Sequence, residues 1–182
     1  LAALWTRQGR SIGFVPTMGA LHSGHASLIR RARAENRRVV VSLFINPLQF
    51  GPGEDYGVYP RTFPADRRLC LQNRVDVLYR PGVEQVYPPG FKTEVEVPGL
   101  SSILCGRFRP GPFKGVATVV LKRFETTRPA RGYFGEKDFQ QLVIIKKMTR
   151  DLNVPVSIVA CPTIREEDGL ALSSRNRYLT SS

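Results

Sequence analysis

Ile12-Gly-Phe-Val-Pro-Thr-Met-Gly-Ala-Leu-His-Ser-Gly-His25 opens as a short apolar strand and passes through a turn broken by Pro16 and Gly19. It then enters a helix whose apolar residues Ala26, Leu28, Ile29 and Ala32 fall at helical spacing. A strand feeding a helix start makes an anion site. The free N–H groups of the first helical turn and the positive end of the helix dipole face the ligand, and glycines let a phosphate approach the backbone. Both histidines of the chain, His22 and His25, lie here, three apart and so on one face. An imidazole at this place can hydrogen-bond a phosphate oxygen and, if protonated, offset charge that develops in phosphoryl or nucleotidyl transfer. Two surface histidines, or half of a metal site, fit the same spacing, but no third histidine or cysteine pair completes a zinc set. Neither G-x-x-x-x-G-K-[ST] nor an intact G-x-G-x-x-G after a strand occurs.

Downstream, the run from Val39 to Ile45 is apolar but for Ser42, the signature of a strand buried on both faces in a parallel sheet. Strand, helix and strand then form a right-handed crossover, with Asn46 and Gln49 beyond a carboxyl end, where open α/β sheets bind ligands. Their amides suit a hydroxy acid, although turn chemistry explains Asn46 before Pro47 equally well. Residues 51–64, rich in Gly, Pro and Tyr, predict a long surface loop that covers a site. A helix over 65–73, a strand over 75–79 and an edge strand or small excursion over 93–97 follow. The basic, glycine-rich stretch 104–115 leads into a helix over 116–124 and is either another anion-binding turn or a loop with exposed arginines. Tyr133 to Gln141 repeats the strand–turn–helix logic: Lys137 in the turn, Asp138 as N-cap, Gln141 reaching back, and Leu142, Ile145 and Met148 buried in a helix to about 152. A strand over 156–160, a charged loop over 165–169 and the helix start Ser173-Ser-Arg-Asn176 complete four candidate anion-binding turns.

The length of 182 residues suits one well-buried α/β domain. Leu1 is not an initiator methionine and the chain stops just after a new helical signal, so residues 1–182 read as one nucleotide-binding domain of a longer protein. Cys70, Cys105 and Cys161, each beside apolar residues, read as buried free thiols in a reducing compartment. No apolar run is long enough to span a bilayer, which predicts a cytoplasmic protein with no membrane partner. The net charge of +12 divides unevenly: seven basic and one acidic residue over 1–50, eleven and three over 101–150. That positive charge coincides with the anion-binding turns and suits a polyanionic small substrate. It suits RNA equally, but no aromatic pattern interleaves with the basic residues, and Arg30, Arg31, Arg33, Arg37 and Arg38 read as a solvated helix face.

Five motifs in order, Pro16–His25, Asn46-Pro-Leu-Gln-Phe50, Tyr59-Pro-Arg61, Phe134–Gln141 and Asp168–Asn176, resemble the pantothenate synthetase (pantoate:beta-alanine ligase) family across nearly the whole chain. The His22-x-Gly-His25 core also links that family to a wider group of Rossmann-like nucleotidyltransferases. The resemblance implies a doubly wound parallel sheet of this HxGH type, followed by a smaller C-terminal domain. It implies adenylation of pantoate by ATP, release of pyrophosphate, attack by β-alanine and release of AMP, with Mg2+ as the ion and a homodimer as the assembly. Carried over by position, Met18, Gly19, Ala20, Leu21, His22, Ser23, Gly24 and His25 line the ATP site. Gly135, Glu136, Lys137, Asp138, Ile164, Leu172, Ser173, Ser174 and Arg175 complete it. His25 takes the proton-donor role, with His22, Lys137 and Arg175 as further catalytic residues, and Gln49 and Gln141 hold pantoate, Gln49 also lying near β-alanine. The chain has Pro112 where the family usually has His, and Leu172 where Met is common. The alternatives are another nucleotidyltransferase of the superfamily and a basic RNA-binding module on the same fold.

Overall fold

The computed structural model describes residues 1–179. Five parallel strands, β1 (Ile12–Thr17), β2 (Arg38–Leu43), β3 (Val77–Tyr79), β4 (Arg131–Gly135) and β5 (Ser157–Cys161), form one sheet in the order β3-β2-β1-β4-β5. The helices are α1 (Ala2–Arg7), α2 (Ser23–Glu35), α3 (Phe63–Gln72), α4 (Val83–Val86), α5 (Cys105–Phe108), α6 (Pro112–Thr127) and α7 (Phe139–Asp151), with 3-10 turns at Pro47–Gln49, Glu136–Asp138 and Ser174–Tyr178.

Successive strand residues point to opposite faces, so an apolar run feeds two cores. Ile12, Phe14 and Val40 join Val116, Val120 and Phe124 of α6 and Leu142, Ile145 and Met148 of α7. Val15, Val39 and Val41 join Ile29 and Ala32 of α2 and Cys70 of α3. With helices on both faces, the sheet is doubly wound, as the apolar run over β2 predicts.

The strand order reverses between β1 and β4, and there the two strands part. They pair only at Gly13 and Phe14, whereas β4 and β5 stay paired from Arg131 through Gly135. The sheet is thus open at the carboxyl ends of its central strands, where such folds bind ligands. Pro16, expected to break the strand, lies inside β1 opposite Ser42 of β2. Past Phe14 the β4 side of β1 is an edge, and a proline there removes no ladder bond.

Other expectations are corrected. Residues 93–97 form no strand: the Val95 N–H donates to Thr118 Oγ1 at 2.9 Å and Val97 is buried, so the segment packs on α6 instead of joining the sheet. All three cysteines are free, but Cys105, at the start of α5, is exposed. Pro112 is the first residue of α6, where a missing N–H costs no helical bond.

Candidate functional site

The turn after β1 is held by a carboxylate that carries no motif of its own. Asp66, buried on α3, accepts hydrogen bonds from the backbone N–H groups of Ala20 (3.2 Å) and Leu21 (2.8 Å) and from the Thr62 hydroxyl (3.1 Å). Gly19 and Ala20 have φ of +92° and +50°, so this left-handed turn is strained at the alanine and needs outside support. Ser174 supplies more, donating its hydroxyl to the Ala20 carbonyl at 3.0 Å. An aspartate 46 residues away gives no local signal of this job; only the fold brings it here.

His22 is the N-cap of α2, and its Nδ1 accepts from the Gly24 N–H at 3.2 Å. A Cβ at Gly24 would lie 2.9 Å from the His22 ring, which is why glycine separates the two histidines. His25 Nδ1 in turn accepts from the His22 N–H at 3.3 Å, and the ring centroids lie 4.1 Å apart. With both Nδ1 atoms accepting, each neutral ring carries its proton on Nε2. Burial, then His22 and Lys137, push the His25 pKa down to about 3; burial, then Lys137 and Arg177, lower that of His22. In the free protein, burial and the neighbouring charges therefore favour the neutral His25 ring, a donor at Nε2, over the imidazolium.

The opening between β1 and β4 continues into a cavity of about 570 Å³. Of the residues expected at the nucleotide site, Met18, His22, Gly24, His25, Gly135, Lys137, Asp138, Ile164, Ser173, Ser174 and Arg175 line it. Gly19, Ala20, Leu21, Ser23, Glu136 and Leu172 do not line it; they neighbour lining residues along the chain, and Ser23 and Glu136 are exposed. Gln49 and Gln141 both line the cavity, one from the 3-10 turn after β2 and one from the first turn of α7. Gln140 also reaches it but is engaged in structure, with its amide N–H groups donating to the Leu100 and Ile103 carbonyls and its oxygen accepting from the Cys105 N–H. Asn46 is likewise structural. Fully buried, it donates to the Gly115 carbonyl and accepts from Leu48 N–H and the Tyr87 hydroxyl, so its amide is unavailable to a hydroxy acid.

The loop after Phe50 is tied to two arginines of the cavity lining by forked ion pairs. Glu54 accepts from Nε and Nη2 of Arg109 at 2.7 and 2.5 Å, and Asp55 from Nε and Nη2 of Arg175 at 2.8 and 2.7 Å. These hydrogen bonds hold both carboxyls below their ordinary range. Arg175 also lies over the rings of Phe50 and Tyr59. Among the described residues Lys137 meets only Asp138, at 3.2 Å, and its charge acts on both histidines.

Part of the basic cluster on α2 and at the start of β2 is paired with carboxylates. Arg31 pairs with Glu35, and Arg33 and Arg38 with Asp76. No helix among the described residues is long and apolar enough to cross a membrane, and no group of three or more His, Cys, Asp or Glu residues that could hold a metal ion occurs among them.

The family model for pantoate-beta-alanine ligases matches residues 1–182. Pantothenate synthetase of Sulfurihydrogenibium sp. strain YO3AOP1 is 59% identical over 174 residues, 96% of this chain and 62% of that protein. The crystal structure of pantothenate synthetase from Thermus thermophilus superposes with a TM-score of 0.92 at 58% identity, covering 93% of this chain and 62% of that one. The Francisella tularensis ligase, crystallised with beta-gamma ATP and beta-alanine, superposes with a TM-score of 0.94 at 44% identity, covering 99% and 70%. The chain thus spans about 62% of the length of the first two relatives. A histidine pair capping a helix at the switch point of a doubly wound sheet, paired glutamines in one cavity and a match over the whole sequence converge: this chain belongs to the pantoate-beta-alanine ligase family.

Proposed function

We propose that the chain is the nucleotide-binding part of an ATP-dependent ligase that joins pantoate to β-alanine. The observation that carries the reading is the meeting in one cavity of neutral His25, Lys137 and the amides of Gln49 and Gln141. Histidine and lysine suit the phosphates of ATP, while the glutamines suit the hydroxyls and carboxylate of a hydroxy acid. A carboxylate oxygen of pantoate attacks the α-phosphorus, the bond to the bridging oxygen breaks, and pyrophosphate leaves. The amine of β-alanine then attacks the acyl carbon, loses a proton, and AMP leaves.

In this scheme His25 donates the Nε2 N–H to a phosphate oxygen as a neutral group, and Lys137 offsets charge on the departing pyrophosphate. Arg175 reaches the phosphates only after exchanging Asp55 for them, so the loop after Phe50 shifts when ATP binds. Asp138, which lines the cavity with its side chain 60% exposed, would hold Mg2+ brought in with ATP, and the ion would supply neutralisation of the triphosphate charge. The homodimer, the cytoplasmic location and a C-terminal domain closing over the cavity belong to the same proposal.

Exchange of labelled pyrophosphate into ATP tests it. Exchange that requires pantoate supports the ligase; exchange without it points to another nucleotidyltransferase. RNA is the weaker reading, because Arg31, Arg33 and Arg38 are paired with carboxylates.

A further inference from the structure

Arg123 carries a charge that the surrounding protein leaves unanswered. The residue is 4% exposed, and its Nε and Nη2 have no hydrogen-bond partner among the described residues. Nη1 donates to the Tyr79 hydroxyl at 3.2 Å, and the guanidinium lies 4.8 Å from the ring centroid of Phe44 and 4.9 Å from that of Tyr79. Ring faces offset part of a buried cation's lost hydration, but no carboxylate pairs with it among the described residues. Burial pushes the Tyr87 phenol up to about 12, so that nearby group offers no negative charge at neutral pH.

The cation belongs to the cavity. Val116, Val119, Val120 and Arg123 recur along one face of α6 at helical spacing, and all four line it together with Phe44. The cavity thus has an apolar wall with a guanidinium roughly 10 Å along the helix from Val116. Adenylation requires the reacting carboxylate of the acid to lie beside the α-phosphate, on the side of His25 and Lys137. The rest of the acid then extends along the valine wall.

We propose that Arg123 is a specificity-determining residue of the acid subsite, its unpartnered N–H groups receiving the oxygen at the end of the acyl chain opposite the reacting carboxylate. This rests on the ligase reading, in which that oxygen is the terminal hydroxyl of pantoate. A guanidinium has five donors in a fixed fork, and an oxygen ligand gives the orphaned ones a partner.

A cycle of ligand and residue changes tests it. Calorimetry measures binding of pantoate and of 2-hydroxy-3,3-dimethylbutanoate, which lacks the terminal hydroxyl, with α,β-methylene ATP present so that no adenylate forms. The full chain is compared with Arg123→Met and Arg123→Lys. In the unaltered chain the hydroxyl should improve affinity about 10- to 100-fold, the range for a hydrogen bond to a charged group. In Arg123→Met the ratio should fall below about threefold, with affinity for the ATP analogue unchanged. Arg123→Lys, which keeps the charge and loses the fork, should give an intermediate ratio and provides the reading if the methionine variant does not fold. An equal ratio in the unaltered and altered chains overturns the proposal, because a merely structural arginine shifts both affinities together. Failure of the unaltered chain to bind pantoate overturns the ligase reading itself, and this inference with it.

Discussion

Replacing His25 by asparagine and by glutamine separates the two things this ring does. Nδ1 caps α2 by accepting the His22 N–H at 3.3 Å, and Nε2 is left as a donor toward the cavity. An asparagine amide falls near the Nδ1 position and can keep the cap; a glutamine amide reaches the Nε2 position and gives the cap up. Loss of an N-terminal cap costs about 1 kcal/mol, so His25→Gln should be less stable than His25→Asn by roughly that amount in urea unfolding. Loss of a donor to the phosphates in the transition state costs roughly a hundred- to a thousandfold in rate, so His25→Asn should be the slower in pantoate-dependent pyrophosphate exchange.

The pKa of about 3 sharpens the expectation. Keeping His25 protonated at pH 7 in the free protein would cost on the order of 5 kcal/mol, more than one hydrogen bond returns. Exchange in the unaltered chain should therefore show no acid-side rise through pH 6.5. The folded pKa lies below the unfolded value of 6.5, so the unfolded chain binds more protons between those values. The contribution of His25 to stability is complete above about 6.5 and is lost as pH falls toward 3, by up to about 1.4 kcal/mol per unit. A rate that climbs as pH falls through 6.5 in the unaltered chain, and that glutamine abolishes, would refute the neutral-donor account and restore proton donation.

Asp66→Ala orphans the N–H groups of Ala20 and Leu21. It should lower stability by about 3 kcal/mol and weaken ATP binding measured by calorimetry, while Asp66→Asn, which retains an acceptor oxygen, should recover part of both. Gly115→Ala places a Cβ 2.1 Å from the backbone oxygen of Leu48. Neither α6 nor the 3-10 turn bearing Gln49 can yield as a side chain would, so thermal unfolding should show a loss above about 3 kcal/mol. Lys137→Ala should leave the melting temperature within about a degree or two, since the side chain is exposed and among the described residues meets only Asp138, yet reduce ATP affinity about tenfold. Unchanged affinity would return Lys137 to a solvated surface role.

The sheet is legible in the sequence because its signals are local. A run such as Val39 to Leu43, apolar but for Ser42, is stable only where both faces are covered, and Ile29 and Ala32 fall on the buried stripe of α2 from their spacing alone. The strand–turn–helix junctions at Gly19–His25 and Gly135–Asp138 are readable for the same reason. Residues 93–97 mislead because alternation marks a half-buried segment, whereas joining a sheet needs a free strand edge; Thr118 on α6 supplies the partner instead.

By itself, then, the amino-acid sequence determined the alternation of strands and helices, the histidine-bearing turn and the family, since each depends on residues close together in the chain or on a matched pattern along it. The tertiary structure alone decided which polar groups are free to act. Asn46 and Gln140 are held by backbone partners while Gln49 and Gln141 face the cavity; Arg175 is held by Asp55; Asp66 holds the turn; and Arg123 lies buried without an anion. Availability depends on burial and on partners tens of residues away, and desolvation and hydrogen bonding set the charge and reach of a side chain only once the folded chain has brought those partners together.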